Sequence, residues 1–334
     1  MRILITADPE IPVPPMLYGG IERIIDILVR ELKSLGHVVG LIAHRDSQSP
    51  ANNLFTWRGL HSQNKIDLIH NTSTLKRAIN DFQPDIVHSF SRVMYLLPVL
   101  ASSIQKIMSY QRPPSTRTVK YGSRLGRGTL SFTGCSDHIS RNIRAAGAQA
   151  RTIHNCVELN KYVYQPAVSD TAPLVFLSRI ERIKGAHTAI KVAQKTGRRL
   201  IIAGNYVTDG EEGRYWSEEV LPHLGQNGIE YIGPVNDEQK NELLGQAAAM
   251  IVPIEWDEPF GIVFAEAMAC GTPVISSMRG ALPEIVRQGV DGFLVNNLQE
   301  ACDAVNNLSL IKRIDCRQRI EQSFSSPVIV SRYE

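Results

Sequence analysis

Along this chain, short runs of consecutive apolar residues alternate with segments whose apolar residues recur every three or four positions, and the alternation occurs twice. The first series opens with a strand over residues 2–7, followed by a loop punctuated by Pro9, Pro12, Pro14 and Pro15 and then by Gly19 and Gly20. Ile21, Ile24, Ile25, Leu28, Leu32 and Leu35 next fall on one face of a helix expected to stop near Gly36. Further strands are predicted at 38–43, 85–89 and 106–109. The second series has strands at 174–178, 200–203, 230–232, 250–254, 274–275 and 293–295. Strands this apolar, separated by amphipathic helices, imply parallel sheets covered by helices on both faces, so the fold class is α/β. The organisation expected is a first domain over 1–160 and a second over 161–322, with a linker at about 155–172 where Pro166 and Pro173 flank a polar stretch. The final segment, 323–334, contains Pro327 and is the candidate for a return to the first domain, either as a short crossover or as a truncated one.

The densest chemistry lies in EPFGIVFAEAMACGTPVIS, residues 258–276. Pro259 and Gly261 mark a loop turning into a helix, Ala265, Ala267, Met268 and Ala269 favour that helix, Gly271 suits its end, and Pro273 prevents continuation. Free amides at a helix start behind a glycine form an anion site. Glu258 and Glu266 stand across that start, separated along a helix by a rise of roughly 12 Å. A nucleophile and acid carboxylate pair needs a separation of about 5 Å, so the two glutamates read instead as hydroxyl acceptors at opposite ends of one ligand. Phosphate at one end and polyol at the other describes a nucleotide sugar. The bland reading is a surface helix carrying two solvated glutamates.

Composition narrows the remaining classes. A chain of 334 residues, 43% apolar and 21% charged, suffices for two domain cores, and a net charge of +3 gives no argument for nucleic acid. Cys135, Cys156, Cys270, Cys302 and Cys316 are odd in number and form no CxxC, which suggests free thiols in a reducing compartment. His138 lies three residues after Cys135, but one such pair supplies too few ligands for a structural zinc site. No histidines form HxxxH or HExxH and no DxD occurs, so neither a metal nor a resident cofactor is expected. The GxGxxG fingerprint is absent, because Gly126-Arg127-Gly128 does not complete it, and this disfavours a simple NAD dehydrogenase. No apolar run reaches the roughly 18 residues of a membrane span. Residues 1–10 read as a strand rather than a leader, so the expected location is cytoplasmic, at most peripheral to a membrane.

Five ordered segments of the second half, FLSRIERIKG, RLIIAGN, YIGPV, EPFGIVFAE and ACGTPVISSMRGALPEIV, resemble glycosyltransferase family 4, the retaining nucleotide-sugar transferases of GT-B fold. The resemblance is tightest over 173–296 and looser in the first half, where GGIER, GHVV, DIVHSFS and FTGCS carry it. It implies two Rossmann-like domains with parallel sheets facing across a cleft, the first binding an acceptor and the second a nucleotide-sugar donor. It implies that Arg179 and Lys184 are the basic pair on the donor diphosphate, where fixed cations can stabilise the charge of a departing nucleoside diphosphate. By the same resemblance Glu258 faces the donor sugar, the amides of Phe260, Gly261 and Ile262 meet sugar or phosphate oxygens, and Glu266 binds the ribose hydroxyls. Gly19 and Gly20 match the first-domain loop that reaches toward the diphosphate, where glycine permits close approach. The bland counterparts are surface charges for the basic pair, core packing for Phe260 and a plain loop-to-helix junction for the glycines.

One departure from the family concerns the third strand, after which a second histidine often follows as HxH. Here the string is His88-Ser89-Phe90-Ser91-Arg92, so Phe90 holds that place and His88 reads as packing at the strand end. Tyr18, Ser91 and Arg92 are the candidates on the acceptor side. Between Asp85 and Asp137 there is no acidic residue, while Arg92, Lys106, Arg112, Arg117, Lys120, Arg124 and Arg127 occur. That stretch suits an anionic acceptor or acidic lipid headgroups, or is a solvated loop set. Pro113, Pro114 and the polar run after them favour a flexible loop. The activity implied is metal-independent glycosyl transfer with retention to a hydroxyl of a carbohydrate, lipid-linked or small-molecule acceptor. The alternatives are a sugar-nucleotide epimerase or hydrolase of the same architecture, and a non-catalytic nucleotide-sugar-binding protein.

Overall fold

The computed structural model describes residues 1–16 and 19–334, and Tyr18 lies outside them. The described residues form two units, Met1–Asn155 with Ser326–Glu334, and Cys156–Ser325.

In the first unit the order is β1 (Arg2–Thr6), α1 (Gly20–Ser34), β2 (Val38–Ala43), β3 (Asn53–Thr56), α2 (Lys65–Phe82), β4 (Ile86–Ser89), β5 (Gln105–Tyr110), α3 (Thr116–Leu125), β6 (Leu130–Gly134), α4 (Asp137–Ala145) and β7 (Ala150–Thr152). The strands pair in parallel in the order β3-β2-β1-β4-β5-β6-β7. Ile3 of β1 stands opposite Val39 on one side and Ile86 on the other, which makes β1/β4 the point where the winding reverses. Leu4 and Ile5 are completely buried there, as an interior strand covered on both faces requires. The apolar face of α1 buries Ile24, Ile25, Leu28 and Leu32 as its spacing predicts, and the helix ends before Gly36, which has φ 87°.

The stretch after Pro113 and Pro114 is a correction to the sequence reading: it is helix α3, not a flexible loop. The two prolines precede the helix without entering it. Ser115 caps it, its hydroxyl accepting from the Thr118 amide at 3.2 Å, and Val119 and Gly122 face the interior. The edge strand β3 was not legible because its residues are largely exposed and form no apolar run.

In the second unit the order is β8 (Leu174–Leu177), α5 (Ala186–Thr196), β9 (Leu200–Ala203), α6 (Gly210–Tyr215), β10 (Ile229–Tyr231), α7 (Asp237–Gln246), β11 (Ala249–Val252), α8 (Ile262–Ala269), β12 (Val274–Ser277), α9 (Leu282–Ile285), β13 (Gly292–Val295), α10 (Leu298–Asn306) and α11 (Arg313–Ser323). Its six strands are parallel in the order β10-β9-β8-β11-β12-β13, with the reversal at β8/β11. Each unit is therefore a Rossmann-like α/β domain. Helix α8 is apolar nearly all round and packs against α11 and β12. Arg313 at the start of α11 ties this side together by donating to the carbonyls of Gln165, Ala247 and Gly245 at 2.7, 2.8 and 2.9 Å.

The last helix, α12 (Ser326–Val330), belongs to the first unit and packs on α1, where the Ser326 hydroxyl donates to Glu31 at 3.0 Å. Beyond it the Tyr333 ring lies 4.9 Å from that of His88, and the Glu334 carboxylate is 2.8 Å from His37 Nε2.

Candidate functional site

In open parallel sheets ligands settle beyond the C-terminal ends of the strands where the winding reverses. In the second unit that position is occupied by the loops after β8 and β11. The loop after β8 carries Arg179 and then a single 3₁₀ turn, Arg182–Lys184. Gly185 closes the turn at φ 79°, and a side chain there would stand 2.2 Å from the Pro253 carbonyl oxygen, so the two loops touch only because this residue is glycine. The contact delivers Lys184 to Glu258, 74 positions later in sequence, with Nζ 2.7 Å from Oε2. Trp256 Nε1 donates to the same oxygen at 3.1 Å, and the Lys184 ammonium lies 4.5 Å from the centre of the Trp256 ring. Both charged side chains are largely withdrawn from solvent, retaining 10% and 13% of their exposure. A lysine ammonium has three donors, so the bond to Glu258 leaves two for another anion.

Gly261, at φ 83°, starts α8 directly behind Glu258. A Cβ at that position would stand 2.5 Å from Phe264 Cδ2 and 3.1 Å from Glu258 Cγ, which accounts for glycine there. The helix ends in a glycine motif, with the Gly271 amide donating to the Met268 carbonyl at 2.9 Å and the Thr272 amide to Ala267 at 3.0 Å. Phe260 contributes its backbone to the loop while its ring is buried, edge-on to Phe324 at 5.8 Å. Ile262 is the first helical residue. Gly280 supports the loop from behind: the Ala281 amide donates to the Glu258 carbonyl at 2.9 Å, and any Cβ on Gly280 would fall 2.3 Å from that carbonyl oxygen.

Glu266 faces another part of the unit. It is 6% exposed, and its Oε1 accepts from the Tyr162 hydroxyl at 2.6 Å and from Lys240 Nζ at 2.8 Å. The two glutamates thus share no hydrogen-bond partner. Arg179 lies nearer the surface and pairs with Glu181. Trp256, Tyr162 and Lys240 escaped the sequence reading. The signal for the last two was the glutamate itself, since a charge in so apolar a helix must find a partner, although nothing in the sequence says which.

The first unit gathers polar groups at its own point of reversal, where the loop after β1 holds Asp8 and Glu10 and the loop after β4 holds Ser91 and Arg92. Ser91 is buried and bonded to Thr6 Oγ1 at 2.8 Å and to Ser89 Oγ at 3.1 Å, so its hydroxyl serves the strand ends. Arg92 is exposed and, with Arg112, supplies positive charge beside Asp8. Asp8 Oδ1 is sealed from solvent and has no hydrogen-bond partner among the described residues. Burial raises the Asp8 carboxyl to about 6, against the pull of Arg112. Glu22, in the first turn of α1, is raised by burial to about 7, with Asp8 adding to the shift. Gly19 begins α1 at φ 149°, where a Cβ would press within 2.6 Å of Pro15 and 2.9 Å of Glu22 Oε2, and Gly20 is the first helical residue. His88 is buried with Nε2 2.7 Å from Ser109 Oγ, its ring against Phe90 and Tyr333, and burial lowers its pKa to about 3. Lys106 leaves the basic stretch, being buried with its ammonium donating to the carbonyls of Val99 and Ser102 at 2.9 Å each.

Among the described residues no three or more histidine, cysteine, aspartate or glutamate side chains are grouped to hold a metal ion, and no helix is long and apolar enough to cross a membrane.

Residues 18–161 match the family described as Glycosyltransferase Family 4, and residues 165–323 match Glycosyl transferases group 1. A D-inositol 3-phosphate glycosyltransferase of Mycobacterium bovis (strain BCG / Pasteur 1173P2) is 30% identical over 142 residues, which is 42% of this chain and 30% of that protein. The match thus spans less than a third of that relative's own length. Among solved structures, AviGT4, a glycosyltransferase involved in avilamycin A biosynthesis, is 24% identical and superimposes with a TM-score of 0.75 over 99% of this chain and 95% of its own. Anabaena HepE in complex with UDP-glucose is 19% identical, with a TM-score of 0.73 over 100% of this chain and 98% of its own. With each Rossmann-like half matched by its own family and the fold shared across nearly the whole chain, this protein belongs to the family 4 type of glycosyltransferases, of GT-B fold.

Proposed function

We propose that the chain transfers a sugar from a nucleoside-diphosphate sugar to an acceptor hydroxyl, with retention of anomeric configuration and without a metal ion. The observation that carries this reading is the Lys184–Glu258 pair, 2.7 Å apart at the head of the glycine-led helix α8. As the glycosidic bond breaks, negative charge grows on the departing diphosphate. Lys184, Arg179 and the amides at the start of α8 supply preorganised positive potential for it, a type of stabilisation worth about 3–4 kcal/mol per donor. Glu258 then serves as an acceptor for sugar hydroxyls, and Glu266 for those of the ribose. HepE, whose structure holds UDP-glucose, supports a nucleotide-sugar donor for a chain of this fold.

The acceptor hydroxyl attacks on the face from which the diphosphate leaves. Its proton passes to a leaving phosphate oxygen, the new carbon–oxygen bond replaces the one lost, and no covalent sugar–enzyme intermediate forms. We assign the acceptor to the first unit, near Asp8, Ser91, Arg92 and Arg112. The exposed Arg117, Lys120 and Arg124 of α3, beside exposed Tyr121 and Leu125, suit an anionic or lipid-linked acceptor at a membrane surface.

The test is a calorimetric screen of UDP-, GDP-, ADP- and dTDP-sugars in EDTA, repeated on Glu266→Ala, followed by an acceptor screen with the product anomer read by NMR. Binding of one nucleotide class that is lost in the variant, and retained configuration in the product, are expected. Absence of binding in EDTA, or inversion, would overturn the reading. Rapid product formation without acceptor would point to a hydrolase or epimerase.

A further inference from the structure

Helix α8, IVFAEAMA, contains a single charged residue, Glu266, and buries it. A carboxylate in such a place needs compensation, and the form of the compensation is informative. Both donors, the Tyr162 hydroxyl at 2.6 Å and Lys240 Nζ at 2.8 Å, fall on Oε1, and among the described residues no group donates to Oε2. Here one edge of the carboxylate is loaded and the other keeps its acceptor capacity.

The three elements involved are also tied to one another. Tyr162 lies in the segment before β8, and its backbone carbonyl accepts from Arg317 Nη1 at 2.9 Å. The same guanidinium nitrogen donates to the Ala269 carbonyl at 2.8 Å, at the end of α8, so the Tyr162 segment is moored to the helix that carries Glu266. Lys240 projects from α7 with its ammonium 5.5 Å from the Tyr162 ring centre and 3.4 Å from Asp237 Oδ1. Rotation of the carboxylate therefore costs two charge-assisted bonds at once.

We propose that Tyr162 and Lys240 are positioning residues that fix the plane of Glu266 and thereby make the nucleotide site select ribose over 2′-deoxyribose. The inference rests on the donor reading above, in which Glu266 takes the ribose hydroxyls. A carboxylate held in one plane meets the vicinal 2′- and 3′-hydroxyls together. A 2′-deoxynucleotide leaves part of that acceptor capacity unmatched, at a cost typical of a lost hydrogen bond to a charged group, about 10- to 100-fold in affinity. A carboxylate free to rotate would follow the single 3′-hydroxyl and lose most of the discrimination.

The experiment measures the dissociation constants of UDP, GDP and ADP by calorimetry, and then that of the 2′-deoxy form of whichever binds most tightly. Wild type, Tyr162→Phe, Lys240→Met and Lys240→Arg are compared, with thermal melting as a check on folding. Wild type should prefer the ribonucleotide by at least about 10-fold. In Tyr162→Phe and Lys240→Met the preference should fall to about threefold or less, through weaker ribonucleotide binding with the deoxynucleotide little changed, and Lys240→Arg should restore part of it. Tyr162→Phe removes only a hydroxyl and keeps the readout available should Lys240→Met not fold. Equal binding of the two sugars by wild type, or variants that weaken both by the same factor, would overturn this inference while leaving the donor reading intact. A wild type that binds none of the three nucleotides would overturn the donor reading, and this inference with it.

Discussion

Replacing Lys184 or Glu258 should expose how strongly these two side chains depend on each other. At 2.7 Å, Coulomb's law with an effective dielectric constant of about 20 gives an attraction of about 6 kcal/mol. Withdrawing both charges from water cancels much of it, and removing one partner from a buried pair typically costs about 3–5 kcal/mol because the other is left uncompensated. With 10% and 13% of their side-chain surface still exposed, water relieves part of that penalty, and the expected cost falls just below this range, about 2–3 kcal/mol for either Lys184→Met or Glu258→Gln. Methionine keeps a polarizable chain against Trp256, and glutamine keeps an acceptor for the Trp256 indole, so neither substitution removes much packing. The double variant should then be little worse than either single one, giving a coupling energy of about 2 kcal/mol in a double-mutant cycle. Urea unfolding of the four proteins measures it. In nucleotide binding Lys184→Met alone should lose about 10- to 100-fold through the missing charge-assisted bond. A coupling below about 0.5 kcal/mol would mean that water screens the pair as it does surface ion pairs, and the claim that burial makes this a preorganised diphosphate site would fail.

Two other perturbations probe the remaining parts. Gly261→Ala puts a Cβ 2.5 Å from Phe264 at φ 83°, so the start of α8 must shift. Donor affinity should drop about tenfold or more at a stability cost of about 1–2 kcal/mol, and unchanged calorimetric binding would show that the α8 amides do not serve the ligand. In the first unit, Glu22 and Asp8 are raised by burial to about 7 and about 6, from ordinary values of 4.5 and 3.8. The folded state therefore holds their protons more tightly than the unfolded chain, and the stability from this source is present at about pH 4, falls as pH rises through about 7, and is flat above. Glu22→Gln should flatten that slope and raise the urea midpoint at about pH 8 by the equivalent of about 1–2 kcal/mol, and a midpoint unaffected by the substitution would contradict the burial argument.

Much of this architecture could be read in one dimension because it is written in local patterns. The apolar spacing of α1 is set by a period of 3.6 residues, and the glycine stop of α8 by the left-handed backbone that Gly271 adopts at φ 84°. The prolines before α3 misled because the same residues that break helices also precede them. In that helix the capping hydroxyl of Ser115 carries more information than Pro113 and Pro114. The basic stretch between Asp85 and Asp137 looked uniform in sequence, yet its members divide in space: Lys106 is buried on carbonyls, Arg92 and Arg112 flank Asp8, and Arg117, Lys120 and Arg124 are exposed. Charge is visible in sequence, whereas the medium around it is not.

By itself, then, the sequence determined the apolar interior strands and the amphipathic helix α1, that there are two sheets, and which motifs carry acid, base and glycine, because those properties follow from periodicity and from single-residue backbone preferences, whereas the exposed edge strand β3 and the polar helix α3 left no such pattern. The partners of the charges were decided only in three dimensions. Lys184 meets Glu258 across 74 positions because the winding of the sheet reverses between β8 and β11 and because Gly185 lets their loops touch. Glu266 is held by Tyr162 and Lys240, 104 and 26 positions away. Such pairings depend on strand order, a long-range property that no local pattern specifies, and only after they form does burial fix what each carboxylate can bind.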